Sequence, residues 1–269
     1  MPMSELNKGI RESGNQAMLR FDRVAVMFSL VSITALAWLY LFNTPLGMES
    51  IEGLDVAIAQ ANGTSWTVQD AIMMFLMWAV MMVGMMVPAA FPMILMYSSL
   101  TRNQPNKAGI FAPTTLFVIG YMFIWTAFSL AATALQWGLQ GIGILSSMMM
   151  SSSSVFNGLI LIAAGIYQWT PIKNMCLRNC QTPLGFLMNN WRDGRDGAFR
   201  MGLAHGVYCI GCCWVLMGLL FVGGVMNLLW IAAIATFVLL EKVIPSSLLL
   251  PRLAGSALIV WGSLLLLQN

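Results

Sequence analysis

The chain has 269 residues, of which 59% are hydrophobic and only 9% are charged, and its mean hydropathy is +0.79. About a quarter of the residues in a soluble globular domain are charged, so this composition excludes that class of protein. The net charge of +3 is too small to indicate nucleic acid as a partner. We therefore expect an integral membrane protein whose main partner is the lipid bilayer.

Long apolar runs between charged residues give the expected architecture. A helix that spans a bilayer needs about 20 largely apolar residues, and the chain has about seven such runs. The sequence therefore predicts an all-α fold, a polytopic transmembrane helix bundle that forms a single domain over residues 24–269. A hydrophilic N-terminal segment over residues 1–23 precedes it. The runs lie at about 24–42, 70–96, 110–139, 155–169, 201–222, 228–241 and 253–267.

The distribution of lysine and arginine predicts the orientation of these spans. If the N-terminus is cytoplasmic and there are seven spans, all 13 basic residues fall in cytoplasmic segments. This is the bias seen in membrane proteins, and a shift by one span would remove it. We therefore expect a cytoplasmic N-terminus and an outer C-terminus. Residues 173–200, a long hydrophilic stretch, are predicted to be a cytoplasmic connecting loop with room for a surface helix.

The fifth run begins with the single histidine and three of the five cysteines of the chain: His205, Cys209, Cys212 and Cys213. Offsets of four, seven and eight residues return to one face of a helix. Taken singly, a free cysteine is more often a small buried hydrophobe than a ligand. Polar groups that cluster at membrane depth are more typical of a functional site. The set therefore predicts a metal site in the cytoplasmic half of the membrane.

The other two cysteines, Cys176 and Cys180, follow the fourth run at a spacing of four residues. The predicted topology puts them on the same side of the membrane as His205. A reducing cytosol argues against a structural disulfide there, which leaves metal binding, redox chemistry or packing. The basic neighbours Lys173 and Arg178 favour thiolates, as metal ligation requires.

Methionine is abundant, with 23 residues in the chain. In the second run, Met73, Met77, Met81 and Met85 recur every four residues, which predicts a stripe along one helix. Such a stripe is usually adaptable core. Because thioethers and thiolates together select Cu(I), we interpret these methionines as a metal relay and copper as the metal, with another transition metal as the alternative.

Candidates for catalysis are few. The sequence contains no phosphate-binding glycine loop, no nucleophile motif and no CxxC, so no catalytic residue is predicted. Glu241 is the one carboxylate of interest, either as an acceptor for His205 or as a proton-relay group. The alternative is an ordinary surface pair with its neighbour Lys242.

Several stretches from about residue 70 onward form a recognisable combination: WAVMMVGMMVPAAFP (Trp78–Pro92), YQWTPIKNMCLRNCQTP (Tyr167–Pro183), Trp191–Arg200, HGVYCIGCCW (His205–Trp214), Gly224–Asn227 and Glu241–Lys242. In these stretches the sequence resembles a family of bacterial polytopic membrane proteins described only as metal-binding and of unknown function. The resemblance implies a bacterial inner-membrane location and a metal site on the histidine and cysteine positions, but no activity.

Three functions are consistent with these features. The first is a metal-binding membrane protein that handles or transports Cu(I) through its Cys, His and Met residues. The second is an accessory subunit that binds or stabilises a larger membrane metalloenzyme, in a complex or as a homo-oligomer. The third is a membrane thiol redox enzyme, which the lack of CxxC disfavours.

Overall fold

The structure, a computed structural model, describes residues 24–43, 67–102, 111–141, 153–244 and 249–268. Within these ranges every secondary-structure element is a helix, which confirms the all-α prediction. The predicted N-terminal segment 1–23 lies outside the described residues. The helices are α1 (Val24–Asn43), α2 (Val68–Arg102), α3 (Phe111–Gly141), α4 (Ser154–Gln168), α5 (Pro171–Gln181), α6 (Pro183–Asn190), α7 (Gly194–Gly218), α8 (Leu220–Gly223), α9 (Leu228–Val243) and α10 (Leu249–Leu267).

Five helical segments in the described ranges are long and apolar enough to cross a membrane: α1, α2, α3, α7 continued by α8, and α10. Helices α4 and α5 meet at a bend of 64° and make a sixth if they form one span. Helix α9 has 16 residues, fewer than the roughly 20 that a bilayer requires. These helices support a polytopic membrane protein, while the total of seven spans and the orientation stay predictions.

Pro88 in α2 explains one contact by which α1 docks on the bundle. Pro88 has no N–H, so the carbonyl of Gly84, four residues earlier, loses its helical partner. The indole nitrogen Nε1 of Trp38 on α1 donates to this carbonyl at 3.2 Å. In hydrocarbon, backbone polar groups must be satisfied within the protein, so this bond stabilises both the docking of α1 and the proline-containing turn.

Residues 173–200 were predicted to be a connecting loop with room for a surface helix; the segment is mostly helical, and one side of it packs into the protein. Thr170 caps α5 by accepting a hydrogen bond from the backbone N–H of Lys173, and α6 follows α5 closely. Lys173, Leu177 and Cys180 form the buried face of α5. The charges of the segment favoured a connecting loop, but helical spacing places this buried face on one side of α5, while Ile172 and Met175 are exposed.

Glycines bring α3 and α7 into close contact at the centre of the bundle. A Cβ atom added at Gly202 of α7 would lie 2.1 Å from the carbonyl oxygen of Phe117, and one at Gly120 of α3 would lie 2.3 Å from that of Phe199. Small residues permit this backbone approach in membrane helices. It sets the distance across which α3 and α7 side chains meet, including those of the site described next.

Helix α10 packs at the periphery, against α4. Glycines again form the contact, because a Cβ atom at Gly165 would lie 2.6 Å from the carbonyl oxygen of Gly255 and one at Gly262 would lie 2.7 Å from that of Gly158. Most of α10 is exposed on its other faces, as expected of a helix in contact with lipid.

Candidate metal centre

The predicted histidine and cysteine residues of α7 lie inside the bundle. His205 is 2% exposed, Cys209 is fully buried, and Cys212 and Cys213 are each 1% exposed. Helix α7 is surrounded by α3, α4, α5 and α9, so all its inward faces are covered by other helices. The motif therefore occupies the protein interior.

Side chains from two other helices contact the sulfur of Cys209. The ammonium Nζ of Lys242, at the end of α9, lies 2.8 Å from this sulfur. The hydroxyl Oη of Tyr121 on α3 lies 3.1 Å from it and also donates to the backbone carbonyl of Met86 on α2, at 3.0 Å. A cation beside a sulfur stabilises the thiolate, which is the form that binds metal. The contact with Lys242 therefore favours the thiolate form of Cys209.

Cys180 of α5 completes a cluster of sulfur atoms. Its buried side chain lies beside Cys209 and Cys212. The thiols of Cys212 and Cys213 each donate to the backbone carbonyl of Cys209, at 3.0 Å. Four cysteines from two helices, far apart in the sequence, thus meet in one buried place.

Cys176 lies at the edge of this cluster, one helical turn before Cys180. It is half-buried, and its sulfur rests on Gly211, where an added Cβ atom would lie 2.6 Å from it. It is close enough to Cys212 for their charges to interact. Tyr167 of α4 donates a hydrogen bond to the carbonyl of Gly211 and holds this edge together. Both cysteines of α5 therefore reach α7, and only Cys180 is inside.

His205 sits one turn from Cys209 among aromatic rings. Its ring stacks on Tyr121 at 5.3 Å and on Phe117 at 6.1 Å, between ring centroids, and the ring of Phe186 meets it edge-on at 5.5 Å. Its Nδ1 atom is buried and has no hydrogen-bond partner in the part of the chain that the structure describes. The imidazole of His205 thus has a ring nitrogen that makes no hydrogen bond to the described residues, one helical turn from Cys209.

The histidine and the cysteines do not form a closed set of metal ligands in the described residues. All five cysteines and the histidine are among the described residues, and no group of three or more His, Cys, Asp or Glu side chains in those ranges is arranged to hold a metal ion. Cys212 and Cys213 point instead to the Cys209 carbonyl. A structural zinc site needs four converging ligands. Thiolate and imidazole groups are ligands that suit transition metals rather than hard cations.

The predicted methionine stripe of α2 is only partly buried. Met77, Met81 and Met85 lie in the core, whereas Met73 is 52% exposed. A spacing of four residues drifts around a helix that has 3.6 residues per turn, so the first member leaves the face of the last. Met86, next to the stripe, connects α2 to the cysteine cluster through its carbonyl and Tyr121.

Glu241 pairs with neither of its predicted partners. Both of its carboxylate oxygens accept hydrogen bonds from Lys173 Nζ at 2.8 Å, and the two side chains are 1% and 0% exposed. Its backbone carbonyl accepts from Gln181 at 2.7 Å. Glu241 and Lys242 are both buried, so a surface pair between them is excluded. Glu241 joins the end of α9 to the start of α5.

Tyr121 was not predicted as part of the centre, and both lysines were assigned other roles: Lys173 was expected to favour thiolates at Cys176 and Cys180, and Lys242 to pair with Glu241 at the surface. The two lysines were counted as markers of the cytoplasmic side. A signal was present for Lys242, because it follows Val238 by four residues on the buried side of an otherwise apolar helix. Nothing in the sequence distinguishes Tyr121 from the other aromatic residues of α3.

Comparison with known proteins bears on the metal. No curated protein and no solved structure matches the chain. A family model described as PpoB2, copper chaperone, matches residues 75–265, a range that includes every residue of the cysteine cluster, His205 and Lys242. The match covers more than half of the chain. It makes the resemblance to a metal-binding family more specific, because the metal in the family description is copper. The chain therefore belongs to the PpoB2 copper chaperone family.

Proposed function

We propose that this protein is a membrane copper chaperone that carries Cu(I) as its cargo between the thiolates of Cys180 and Cys209. The contact of Cys180 on α5 with Cys209 and Cys212 on α7 is the observation that supports this proposal most directly. Soft thiolate ligands select Cu(I) over the harder divalent ions. The contact with Lys242 favours the thiolate form of Cys209 before the metal arrives.

Neighbouring donors would let the ion enter and leave. Cys176, half-buried at the edge of the cluster and close to Cys212, is the proposed entry ligand. Cys212, Cys213 and the unused Nδ1 of His205 are the proposed exchange ligands around the pair. An ion that is passed from thiolate to thiolate exchanges one metal–sulfur bond for another at each step, which suits a carrier better than a storage site.

The methionines of α2 extend the proposal from binding to transfer. Met81 and Met85 are buried side chains of α2. Tyr121 connects this helix to Cys209, because its hydroxyl contacts both the carbonyl of Met86 and the sulfur of Cys209. Thioethers bind Cu(I) more weakly than thiolates do, so they would accept the ion without trapping it. We propose that they relay copper from the cysteine cluster along α2.

Cu(I) binding under reducing conditions tests this function. The purified full-length protein in detergent would be titrated against a chromogenic Cu(I) chelator, and the sulfur ligands of the bound ion counted by X-ray absorption. We expect one high-affinity ion in the wild type and its loss in Cys180→Ser and in Cys209→Ser. Cys176→Ser is the matched control, because it removes a thiol outside the pair: it should keep the stoichiometry and slow the loading.

Two results would overturn the proposal. One is a wild-type protein that takes up no Cu(I) from the chelator. The other is full Cu(I) affinity in both Cys180→Ser and Cys209→Ser, which would place the site elsewhere in the chain.

A further inference from the structure

The buried charges around the cysteine cluster do not cancel among themselves. In the described residues the fully charged side chains buried in the core are Lys173, Glu241 and Lys242. Glu241 gives both of its carboxylate oxygens to Lys173. The ammonium of Lys242 therefore has no carboxylate of its own, and its hydrogen bond goes to the sulfur of Cys209 at 2.8 Å.

An unbalanced charge in a membrane interior is costly, so these groups favour arrangements with no net charge. A Cys209 thiolate supplies the missing negative charge in the metal-free protein. Lys242 is also close enough to Cys212 and Cys213 to interact with their charges, so it faces the cluster as a whole. Any ion that binds here adds its own charge to this balance.

The valence of the ion decides whether the balance is kept. A monovalent ion between two thiolates forms a complex with one negative charge, which the Lys242 ammonium neutralises. The proton of the second thiol leaves as the metal binds. A divalent ion between the same thiolates forms a neutral complex and leaves the ammonium unbalanced. Neutral donors change neither sum: these are His205 and the thiols of Cys212 and Cys213, which keep their protons as donors to the carbonyl of Cys209.

We propose that Lys242 is the residue that selects the valence of the cargo: its buried ammonium, in contact with Cys209, makes the thiol pair prefer soft monovalent ions over divalent ones. This inference rests on the proposed function, because it takes the Cys180–Cys209 pair as the binding site. Lys242 thus acts on specificity through its contact with the sulfur of Cys209 and does not contact the metal itself.

The test compares affinities for ions of different valence. The full-length protein in detergent would be titrated with Cu(I), Ag(I) and Zn(II) against competing chelators at one pH. Lys242→Gln should lower the ratio of Cu(I) to Zn(II) affinity by about a hundredfold. The negatively charged Cu(I) complex loses its counter-charge in this variant, whereas the neutral Zn(II) complex no longer leaves an ammonium unbalanced. Lys242→Arg keeps the charge and should keep the preference for Cu(I) and Ag(I).

The matched control is Arg252→Gln, which removes a positive charge from an exposed position of α10. It should leave the affinity ratio unchanged. If Lys242→Gln does not fold, the apolar variant Lys242→Leu serves, because it buries no unpaired amide. The wild type also gives a result without any variant, since a protein that binds Zn(II) as tightly as Cu(I) or Ag(I) contradicts the inference.

The failure of this inference differs from that of the proposed function. A folded Lys242→Gln protein with an unchanged affinity ratio would overturn the role of Lys242 and leave Cu(I) binding by the thiol pair intact. A wild type that binds no Cu(I) would overturn both.

Discussion

The cysteine cluster on α5 and α7 and the methionine stripe on α2 both offer soft donors, but their surroundings differ. The sulfur of Cys209 contacts an ammonium and a hydroxyl, and four thiols lie together. The buried stripe members Met77, Met81 and Met85 belong to the hydrophobic core. A methionine sulfur of α2 that does make a polar contact belongs to Met74, outside the stripe. It accepts a hydrogen bond from the side-chain amide of Gln136 at 3.3 Å.

This difference indicates how a binding site can be told from packing when the residue types suit both. Methionine fills irregular gaps and needs no polar partner, so its burial says little about function. A buried ammonium has a large desolvation cost and persists only where something compensates it. The contact of Lys242 with Cys209 therefore distinguishes the cluster from the stripe more clearly than the softness of the donors does.

The largest effect is expected from Cys209→Ser, which leaves the buried Lys242 ammonium without an anionic partner. Removal of one member of a buried charge pair costs about 3–5 kcal/mol, and we expect a loss of stability in that range together with the loss of Cu(I) binding. Chemical denaturation in detergent measures the free energy of unfolding. The double variant Cys209→Ser/Lys242→Leu should recover most of the stability and none of the binding. A double variant as unstable as Cys209→Ser would show that the thiol and the ammonium are not coupled.

A smaller effect is expected from Gly202→Ala, which acts on the helix contact that positions the site. The added Cβ atom would lie 2.1 Å from the carbonyl of Phe117, so α3 and α7 must separate. Overpacking of this kind costs about 1–3 kcal/mol. It should also weaken Cu(I) binding, because Tyr121 moves away from Cys209. Gly218→Ala is the control, since a Cβ atom there meets nothing within 4 Å. Equal stabilities of the two variants would argue against close packing of α3 on α7.

Tyr121→Phe should have a still smaller effect on stability. It removes the hydroxyl that joins Cys209 to the carbonyl of Met86 and keeps the ring that stacks on His205. We expect a loss of about 1 kcal/mol, the net value of a typical hydrogen bond. If the cluster and the stripe work together, Cu(I) release to an external acceptor should slow in stopped-flow measurements while the equilibrium affinity changes little. Release at the wild-type rate would show that the cysteine cluster and the methionine stripe do not act together in Cu(I) release.

The sequence predicted the helical fold and the buried face of α7, because both depend on local periodicity: offsets of four, seven and eight from His205 are enough. The arrival of Cys180 at Cys209 depends on the bend between α4 and α5, and Thr170 and Pro171 mark a helix start without fixing its direction. The bond of Lys173 to Glu241 joins residues 68 positions apart, which no local pattern reveals. Counting charges along the chain treats every lysine as a surface group, so Lys173 and Lys242 were placed outside the core.

The smallest effect is expected from Met81→Leu, which tests whether the stripe is anything more than packing. Met81 is fully buried, and a change that conserves volume should cost less than about 1.5 kcal/mol. Cu(I) affinity should stay at the wild-type value, because the thiol pair is untouched. As a relay member, however, Met81 should matter for the rate at which Cu(I) reaches an acceptor. The exposed Met73→Leu is the matched control and should leave that rate unchanged, since Met73 lies off the buried face. If Met81→Leu and Met73→Leu release Cu(I) equally fast, the stripe is core alone, and the soft donors that act on copper are confined to the cysteine cluster and His205.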